Sequence, residues 1–331
     1  VLHAPRQTGK TTCLLALRDY LNAQGRYAAL YVNVETGQAR RNDLSAAMLG
    51  IASQLAEKAA ESLRHGSLQA ELMALACSID GSDVLRRLLR SIASAADKPV
   101  VLFLDEVDAL VGDTLISVLR QIRAGYTDRP KHFPQTIVLC GVRDVRDYRL
   151  TRPDGEVITG GSAFNIKAES IRLGDFSRAE MEALYAQHTA ATGQVFTSEA
   201  LELAWTSTQG QPWLVNALAE QAVWKIRPNR DRSVVIDLEK MREAREALIL
   251  RNDTHLDQLT DKLREERVRR VIEPMLIGDS PEASLADLQY VLDLGLIRIG
   301  TAKNPMPANA IYAEVLPRVL SHVAQFGMHS E

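Results

Sequence analysis

One unbroken run of apolar residues predicts a strand that is buried on both faces. Residues 100–104 read Val-Val-Leu-Phe-Leu, with no polar interruption. Such a run is typical of an inner strand of a parallel sheet, where helices cover both faces. Shorter apolar runs at 27–34, 135–142 and 171–173 predict further strands. The chain opens on Val1-Leu2, which we interpret as the end of one more core strand.

Segments with helical spacing of apolar residues lie between these strands. The first begins after residue 12, and the others cover 43–63, 67–77, 83–96 and 114–125. Strands that alternate with helices predict an α/β fold with a parallel sheet. The segments at 43–63, 67–77 and 83–96 all lie between two successive strands, so at least two of these helices form an insertion on the basic unit.

From residue 177 onward the pattern becomes mostly helical. Ser177 and Glu180 have the spacing of a capping box, which opens a helix up to residue 192. Further helices are predicted at 198–208, 212–226, within 237–277 and at 284–294. We therefore expect three domains: the α/β domain at 1–174, a helical lid at 175–230, and a third domain at 231–331.

The third domain has the element order of a winged helix. A strand at 296–300 follows the helix at 284–294, and a polar loop at 301–308 leads to a second strand at 310–312. The helix that would read DNA carries Asp287 and Asp293 but no Lys or Arg. Because duplex binding needs cations that meet phosphates, we favour a protein-facing or intramolecular role.

A phosphate-binding loop is predicted where the first strand meets the first helix. Residues 4–11 read Ala-Pro-Arg-Gln-Thr-Gly-Lys-Thr, the P-loop pattern with Ala in place of the first Gly. Gly9 lets the backbone approach a phosphate, Lys10 reaches the β- and γ-phosphates, and the Thr11 hydroxyl suits Mg²⁺. The alternative is an ordinary strand-to-helix turn with an incidental Lys. The predicted nucleotide-binding residues of this loop are Ala4, Pro5, Arg6, Gln7, Thr8, Gly9, Lys10, Thr11 and Thr12.

Two adjacent carboxylates stand at the end of the apolar run. Asp105 and Glu106 follow Leu104, as in a Walker B motif with a glutamate after it. Ligands of parallel sheets bind outside the carboxyl ends of the strands. Asp105 can hold Mg²⁺ through water, and Glu106 can polarise an attacking water as general base. The alternative is a core strand that runs into an acid-capped helix.

Two further residues are candidates for the same ligand. Arg143 follows the strand at 135–142 and could sense the γ-phosphate as a charged donor; a solvated Arg at a loop start is the alternative. Pro212 and Trp213 restart a helix after Gly210 and could pack near the nucleotide. A plain turn with a core Trp is the alternative, and it is favoured when the pair is considered alone. Arg146 and Arg149 could also reach anions.

Composition narrows the class of protein without identifying a partner. The 331 residues are 46% hydrophobic and 24% charged, which is ordinary for a globular protein. The net charge of -3 argues against a general polyanion-binding protein. Three widely spaced cysteines and the absence of a C-x-x-C pair argue against disulfides and zinc, so we expect a reducing, cytoplasmic setting. No apolar run reaches membrane-spanning length, and no signal peptide opens the chain.

Several segments together resemble the STAND-type and related AAA-like P-loop ATPases of prokaryotes. They are residues 4–11, 102–108, the Val-Arg-Asp exit at 142–144 and Gly-Gln-Pro at 210–212; residues 162–166 and 308–317 also look like segments of bacterial AAA-like ATP-binding proteins. The resemblance implies a P-loop domain, a helical lid with a G-x-P motif and a winged helix. It also implies that Pro212 lies beside the adenine, that Arg143 acts as γ-phosphate sensor, and that the winged helix closes on the nucleotide.

The resulting hypothesis is a Mg²⁺-dependent ATPase that works as a nucleotide-controlled switch, with Mg-ATP between the P-loop domain and the lid. Its expected ligands are ATP or ADP and Mg²⁺, and its expected partner is an unidentified protein or a C-terminal effector. Homo-oligomers are compatible with this reading, and a membrane is not expected. Two alternatives stay open: a nucleic-acid-associated ATPase resembling origin-recognition or transposition helper proteins, and a nucleotide-binding scaffold without turnover. Because the chain opens inside a core strand, we also expect upstream residues that complete it. The resemblance implies a further C-terminal effector, so we expect a truncation after Glu331 as well.

Overall fold

A computed structural model of the protein describes residues 1–35, 43–110, 112–143, 150–151, 157–158, 169–251, 262–279, 283–300 and 304–327. These residues form two compact units. The first consists of Val1–Ala4 and Gly9–Leu173, and the second of Pro5–Thr8 and Gly174–Glu331. Whether the second unit divides at residue 230 stays a prediction.

The first unit is built on a five-stranded parallel sheet. Its strands are β1 (Leu2–His3), β2 (Ala28–Asn33), β3 (Val100–Asp105), β4 (Thr136–Gly141) and β7 (Ile171–Arg172). Their spatial order is β2-β3-β4-β1-β7, and every pairing is parallel. This arrangement confirms the predicted P-loop type of α/β fold, in which one strand separates β1 from β3.

The unbroken apolar run forms β3, and all six of its residues are buried. Because side chains of a strand alternate between faces, Leu102 and Leu104 join one hydrophobic cluster, whereas Val101 and Phe103 join another on the opposite face. The strand therefore has no solvent-facing side, which explains why its sequence lacks the alternation of a half-exposed strand.

The described part of the first unit contains the helices α1 (Lys10–Gln24), α2 (Leu44–Leu63), α3 (Leu68–Cys77), α4 (Val84–Ala95) and α5 (Gly112–Ala124). The predicted insertion is α2 to α4, whose apolar faces share a cluster with Leu102. Part of the predicted loop at 151–165 lies outside the described residues, as do Arg146 and Arg149. Within the described part, β5 (Leu150–Thr151) pairs antiparallel with β6 (Val157–Ile158).

The second unit is largely helical, as predicted. Its helices are α6 (Arg178–Thr192), α7 (Ser198–Thr208), α8 (Pro212–Glu220), α9 (Leu238–Leu250), α10 (Glu266–Leu276), α11 (Leu285–Asp293) and α12 (Ala310–Gly327). The predicted capping box at Ser177 and Glu180 is present, with both of its hydrogen bonds. A π-helical turn at Gln221–Lys225 continues α8. No helix of the described residues is long and apolar enough to cross a membrane.

The second strand of the C-terminal hairpin is not where the sequence placed it. The prediction of a strand at 310–312 is wrong, because these residues form the first turn of α12. The partner of β8 (Ile297–Ile299) is β9 (Pro305–Pro307), which pairs with it antiparallel. Asn309 explains the difference: its side-chain oxygen accepts the Tyr312 N–H at 2.9 Å and so starts a helix at Ala310.

Candidate nucleotide-binding site

The predicted phosphate loop ends at a helix N-terminus that no side chain caps. Gly9 is the N-cap of α1 with φ +83°, and no side-chain hydrogen bond caps this end of the helix. Gln7 also has positive φ, at +59°. Left-handed residues in a loop turn successive N–H groups to one side, and an uncapped helix start presents further N–H groups. The local backbone is therefore that of an anion-binding site.

The Ala that replaces the first Gly of the motif continues the core strand. Ala4 is fully buried, and its N–H donates to the Gly141 carbonyl at 3.2 Å, next to the end of β4. Its own carbonyl accepts a hydrogen bond from Lys10 Nζ at 3.0 Å. Because Ala4 is not among the residues with positive φ, a methyl group fits there without strain.

Two residues predicted to hold magnesium meet directly. Thr11 Oγ1 donates to Asp105 Oδ2 at 2.6 Å, although the two residues are 94 positions apart. In the sheet, β4 lies between β3 and β1. The carboxyl ends of these parallel strands point the same way, which brings Thr11 and Asp105 together at one end of the sheet. Because the hydroxyl proton points at Asp105, the lone pairs of Thr11 Oγ1 stay available to a cation.

Asp105 is only 1% exposed, and both of its carboxylate oxygens accept hydrogen bonds. The N–H of Glu106 donates to Oδ1 at 2.9 Å, and the Tyr31 hydroxyl donates to Oδ2 at 2.9 Å. Tyr31 is not among the site residues that the sequence predicts. The available signal was strand register: Asn33 pairs with Asp105, so Tyr31 lies two residues earlier on the same face of β2.

Glu106 occupies a strained backbone position immediately after β3. Its φ and ψ are +59° and +39°, a left-handed conformation that non-glycine residues rarely adopt. A 3₁₀ turn at Val107–Ala109 follows. Strain of this kind costs of order 1–3 kcal/mol and is concentrated at functional sites. Here it turns the chain sharply at the sheet edge where Asp105 and Thr11 meet.

Lys10 is buried in an environment rich in acidic groups. Only 7% of the residue is exposed, and this burial lowers the pKa of its ammonium group, whereas the carboxylates of Glu106, Asp108 and Asp105 oppose that shift. Burial also raises the pKa of the Cys140 thiol, and the Asp105 carboxylate raises it further. The thiol is therefore neutral, and the Lys10 charge is one that a phosphate could stabilise.

The remaining predicted residues are distributed over both units. Arg143 lies two residues after the end of β4 and is partly buried. Thr8 Oγ1 donates to the Pro5 carbonyl at 2.8 Å within the loop, and Arg6 is exposed. Pro212 is the first residue of α8 in the second unit, where the Gln211 side chain caps the helix by accepting the Leu214 N–H.

The residues at this sheet edge fit magnesium. Mg²⁺ keeps several waters and is usually held by one or two carboxylates together with substrate phosphates. Asp105 supplies one buried carboxylate and Thr11 one hydroxyl oxygen, next to a buried lysine and an uncapped helix start. The site thus combines oxygen donors for the cation with positive groups for a polyphosphate.

The family model of the AAA domain matches residues 1–148. No curated protein sequence is similar enough to this chain to count as a match. The matched segment contains the phosphate loop, Asp105, Glu106 and Arg143. Residues 1–148 are therefore similar in sequence to an AAA domain.

Several solved structures are similar to this chain. The Walker-type ATPase PABY2304 of Pyrococcus abyssi is 16% identical, with 96% of this chain and 90% of that chain covered and a TM-score of 0.63. Cdc6p of Pyrobaculum aerophilum is also 16% identical, at coverages of 97% and 87% and a TM-score of 0.47. A variant of RuvB from Thermotoga maritima is 13% identical, at 95% and 86% and a TM-score of 0.48. At such identities, the first of these similarities supports the fold alone.

Proposed function

We propose that the chain is a Mg²⁺-dependent ATPase whose nucleotide state acts as a switch. The observation that supports it best is the 2.6 Å hydrogen bond between Thr11 and Asp105. It joins the first turn after the phosphate loop to the end of β3, the two places from which an ATPase of this fold holds its metal. Bound Mg²⁺ would neutralise phosphate charge, and this chain's residues bind and orient the rest.

Glu106 is the residue that activates water in this proposal. Its backbone N–H donates to Asp105 Oδ1, and this bond holds the Glu106 backbone beside the Asp105 carboxylate. A carboxylate beside the phosphate site can accept a proton from a water aligned with the γ-phosphate. Lys10 binds the phosphates as a desolvated cation, and Arg143, at the end of β4, senses the γ-phosphate.

The second unit supplies the switch in this proposal. Residues 175–230 act as a lid with Pro212 beside the adenine, and the elements α10, α11, β8, β9 and α12 form a winged helix. A nucleotide can shift the position of such parts only if ATP and ADP differ in affinity for the two positions. The partner that reads this state is a protein or a further effector segment.

A nucleic-acid role is less well supported by the residues of α11. Asp287 in α11 is paired with Arg267 at 3.1 Å, and Asp293 accepts a hydrogen bond from Gln289. The helix that would face a duplex therefore carries acidic groups and no cation of its own. Origin-recognition-like and transposition-helper-like activities remain the second candidate, and binding of duplex DNA at different salt concentrations separates the two.

Glu106→Gln is the direct test of turnover. The amide keeps the size of the side chain but cannot accept the proton, so ATP should stay bound while phosphate release falls by about 100-fold or more. Glu71→Gln, an exposed change on α3, is the control and should hydrolyse ATP normally. Phosphate release at the wild-type rate in Glu106→Gln would assign the water to another group. No release by the wild type would favour a nucleotide-binding scaffold.

A further inference from the structure

Tyr31 is a polar residue beside the proposed magnesium site of Thr11 and Asp105. The proposed ATPase mechanism gives it no role. It lies on β2, an edge strand of the sheet, and its hydroxyl donates to Asp105 Oδ2 at 2.9 Å. Thr11 donates to the same oxygen at 2.6 Å. The carboxylate oxygen that faces the phosphate loop thus has two hydroxyl donors, one from the loop helix and one from a neighbouring strand.

The ring of Tyr31 is held by packing, so its hydroxyl has a fixed position. The ring packs against a cluster that contains Leu14, Phe103 and Cys140, between α1 and the sheet. Tyr31 pairs with Phe103, and Asn33 pairs with Asp105. The ring of Tyr31 therefore lies beside β3, two residues before the Asp105 carboxylate. This packing favours the ring orientation in which the hydroxyl contacts Asp105.

The hydroxyl is the donor in its hydrogen bond with Asp105. A tyrosine hydroxyl is protonated at neutral pH, whereas an ionised carboxylate only accepts hydrogen bonds. Together with the Glu106 N–H on Oδ1, the Tyr31 hydroxyl fixes the plane of the Asp105 side chain from two directions.

We propose that Tyr31 is a positioning residue that orients Asp105 for magnesium. The inference rests on the proposed function, since it assumes that Asp105 holds the metal of bound Mg-ATP. Partners that orient a metal-holding carboxylate commonly contribute 10–100-fold to metal affinity. Tyr31 should act on the metal and leave the phosphate contacts of Lys10 and the loop unchanged.

The experiment measures ATP affinity with and without metal in the intact chain. A fluorescent ATP analogue is titrated into wild type, Tyr31→Phe and Tyr27→Phe, once with excess EDTA and once with saturating Mg²⁺. Tyr27 is the matched control because it contributes to the same apolar cluster, and it lies four residues away, roughly 13 Å along the strand direction. Tyr31→Phe keeps the ring and its packing and removes only the donor.

The expected result is a change in the ratio of the two affinities. Tyr31→Phe should bind the analogue as well as wild type in EDTA, while the gain from Mg²⁺ shrinks by about tenfold or more. Tyr27→Phe should keep the wild-type ratio. A Tyr31→Phe protein that loses both affinities equally, or keeps the full gain from Mg²⁺, overturns the positioning role alone. A wild type that binds no analogue in either condition overturns the ATPase proposal as well.

Discussion

Asp108 Oδ1 accepts a hydrogen bond from the Val142 N–H at 3.0 Å. This bond joins the turn after β3 to the residue that follows β4, two segments 34 positions apart in sequence. Glu106 lies two residues before Asp108, and Arg143 follows Val142. The contact therefore fixes, relative to each other, the backbone positions of the proposed general base and the proposed phosphate sensor.

Replacement of Asp108 by Ala should loosen this connection. The Val142 N–H would lose its acceptor in a largely buried place, which should lower the free energy of unfolding by about 1–3 kcal/mol. ATP turnover should fall more than ATP affinity, because the phosphate loop is not involved. Asp108→Asn is the control, since its carbonyl oxygen can still accept the bond. Denaturant unfolding of both variants checks the prediction, and equal stability of Asp108→Ala and wild type would contradict it.

Gly210 of the G-x-P segment is required by the backbone of the second unit. It has φ +79°, and a Cβ added there would lie 1.9 Å from the Phe176 carbonyl oxygen. The Phe176 N–H donates to the Gly210 carbonyl at 2.9 Å, so the two chain segments touch directly. A glycine is therefore needed here for packing of the unit itself, whatever Pro212 does with a nucleotide.

Gly210→Ala should destabilise the second unit strongly, and Gly193→Ala supplies the matched control. Gly193 has φ +78°, but no described atom lies within 4 Å of an added Cβ. Its replacement should cost only the left-handed strain, about 1–2 kcal/mol. Gly210→Ala adds a clash with backbone, and we expect a loss of at least about 3 kcal/mol. Similar unfolding midpoints for the two variants would show that the chain relaxes around the clash.

Duplex DNA should bind weakly and with a shallow dependence on salt. A protein that contacts several phosphates loses affinity steeply as salt rises, with a slope of about 0.9 per phosphate contact. Because α11 offers acidic rather than basic groups, we expect a slope that corresponds to no more than about two contacts. Fluorescence anisotropy over a range of salt concentrations measures it. A slope that corresponds to six or more contacts would favour the nucleic-acid-associated ATPase.

The sequence predicts well what depends on local pattern. The apolar run at 100–104 identifies β3 because a strand buried on both faces needs no polar positions. The capping box at Ser177 identifies the start of α6 for a similarly local reason. The meeting of Thr11 and Asp105 is expected from the phosphate-loop and Walker B motifs, because ligands of a parallel sheet bind outside the carboxyl ends of its strands.

The sequence predicts poorly what depends on register between distant segments. Tyr31 and Asp108 look like an ordinary strand tyrosine and a loop acid until β2 and β4 are aligned with β3. The hairpin strand was misplaced because Ile311 and Tyr312 have strand-like side chains, whereas the cap formed by Asn309 decides for a helix. One side-chain hydrogen bond thus outweighs the strand propensity of these two residues.

The central claim is that a triphosphate binds at Lys10 with its metal held by Thr11 and Asp105. Isothermal titration of Mg-ATP into wild type and Lys10→Ala tests it most directly, with Lys98→Ala, an exposed lysine just before β3, as control. We predict that wild type and Lys98→Ala bind Mg-ATP and that Lys10→Ala shows no measurable binding, because the phosphates lose their buried cation. Equal affinity of Lys10→Ala and wild type would contradict the account.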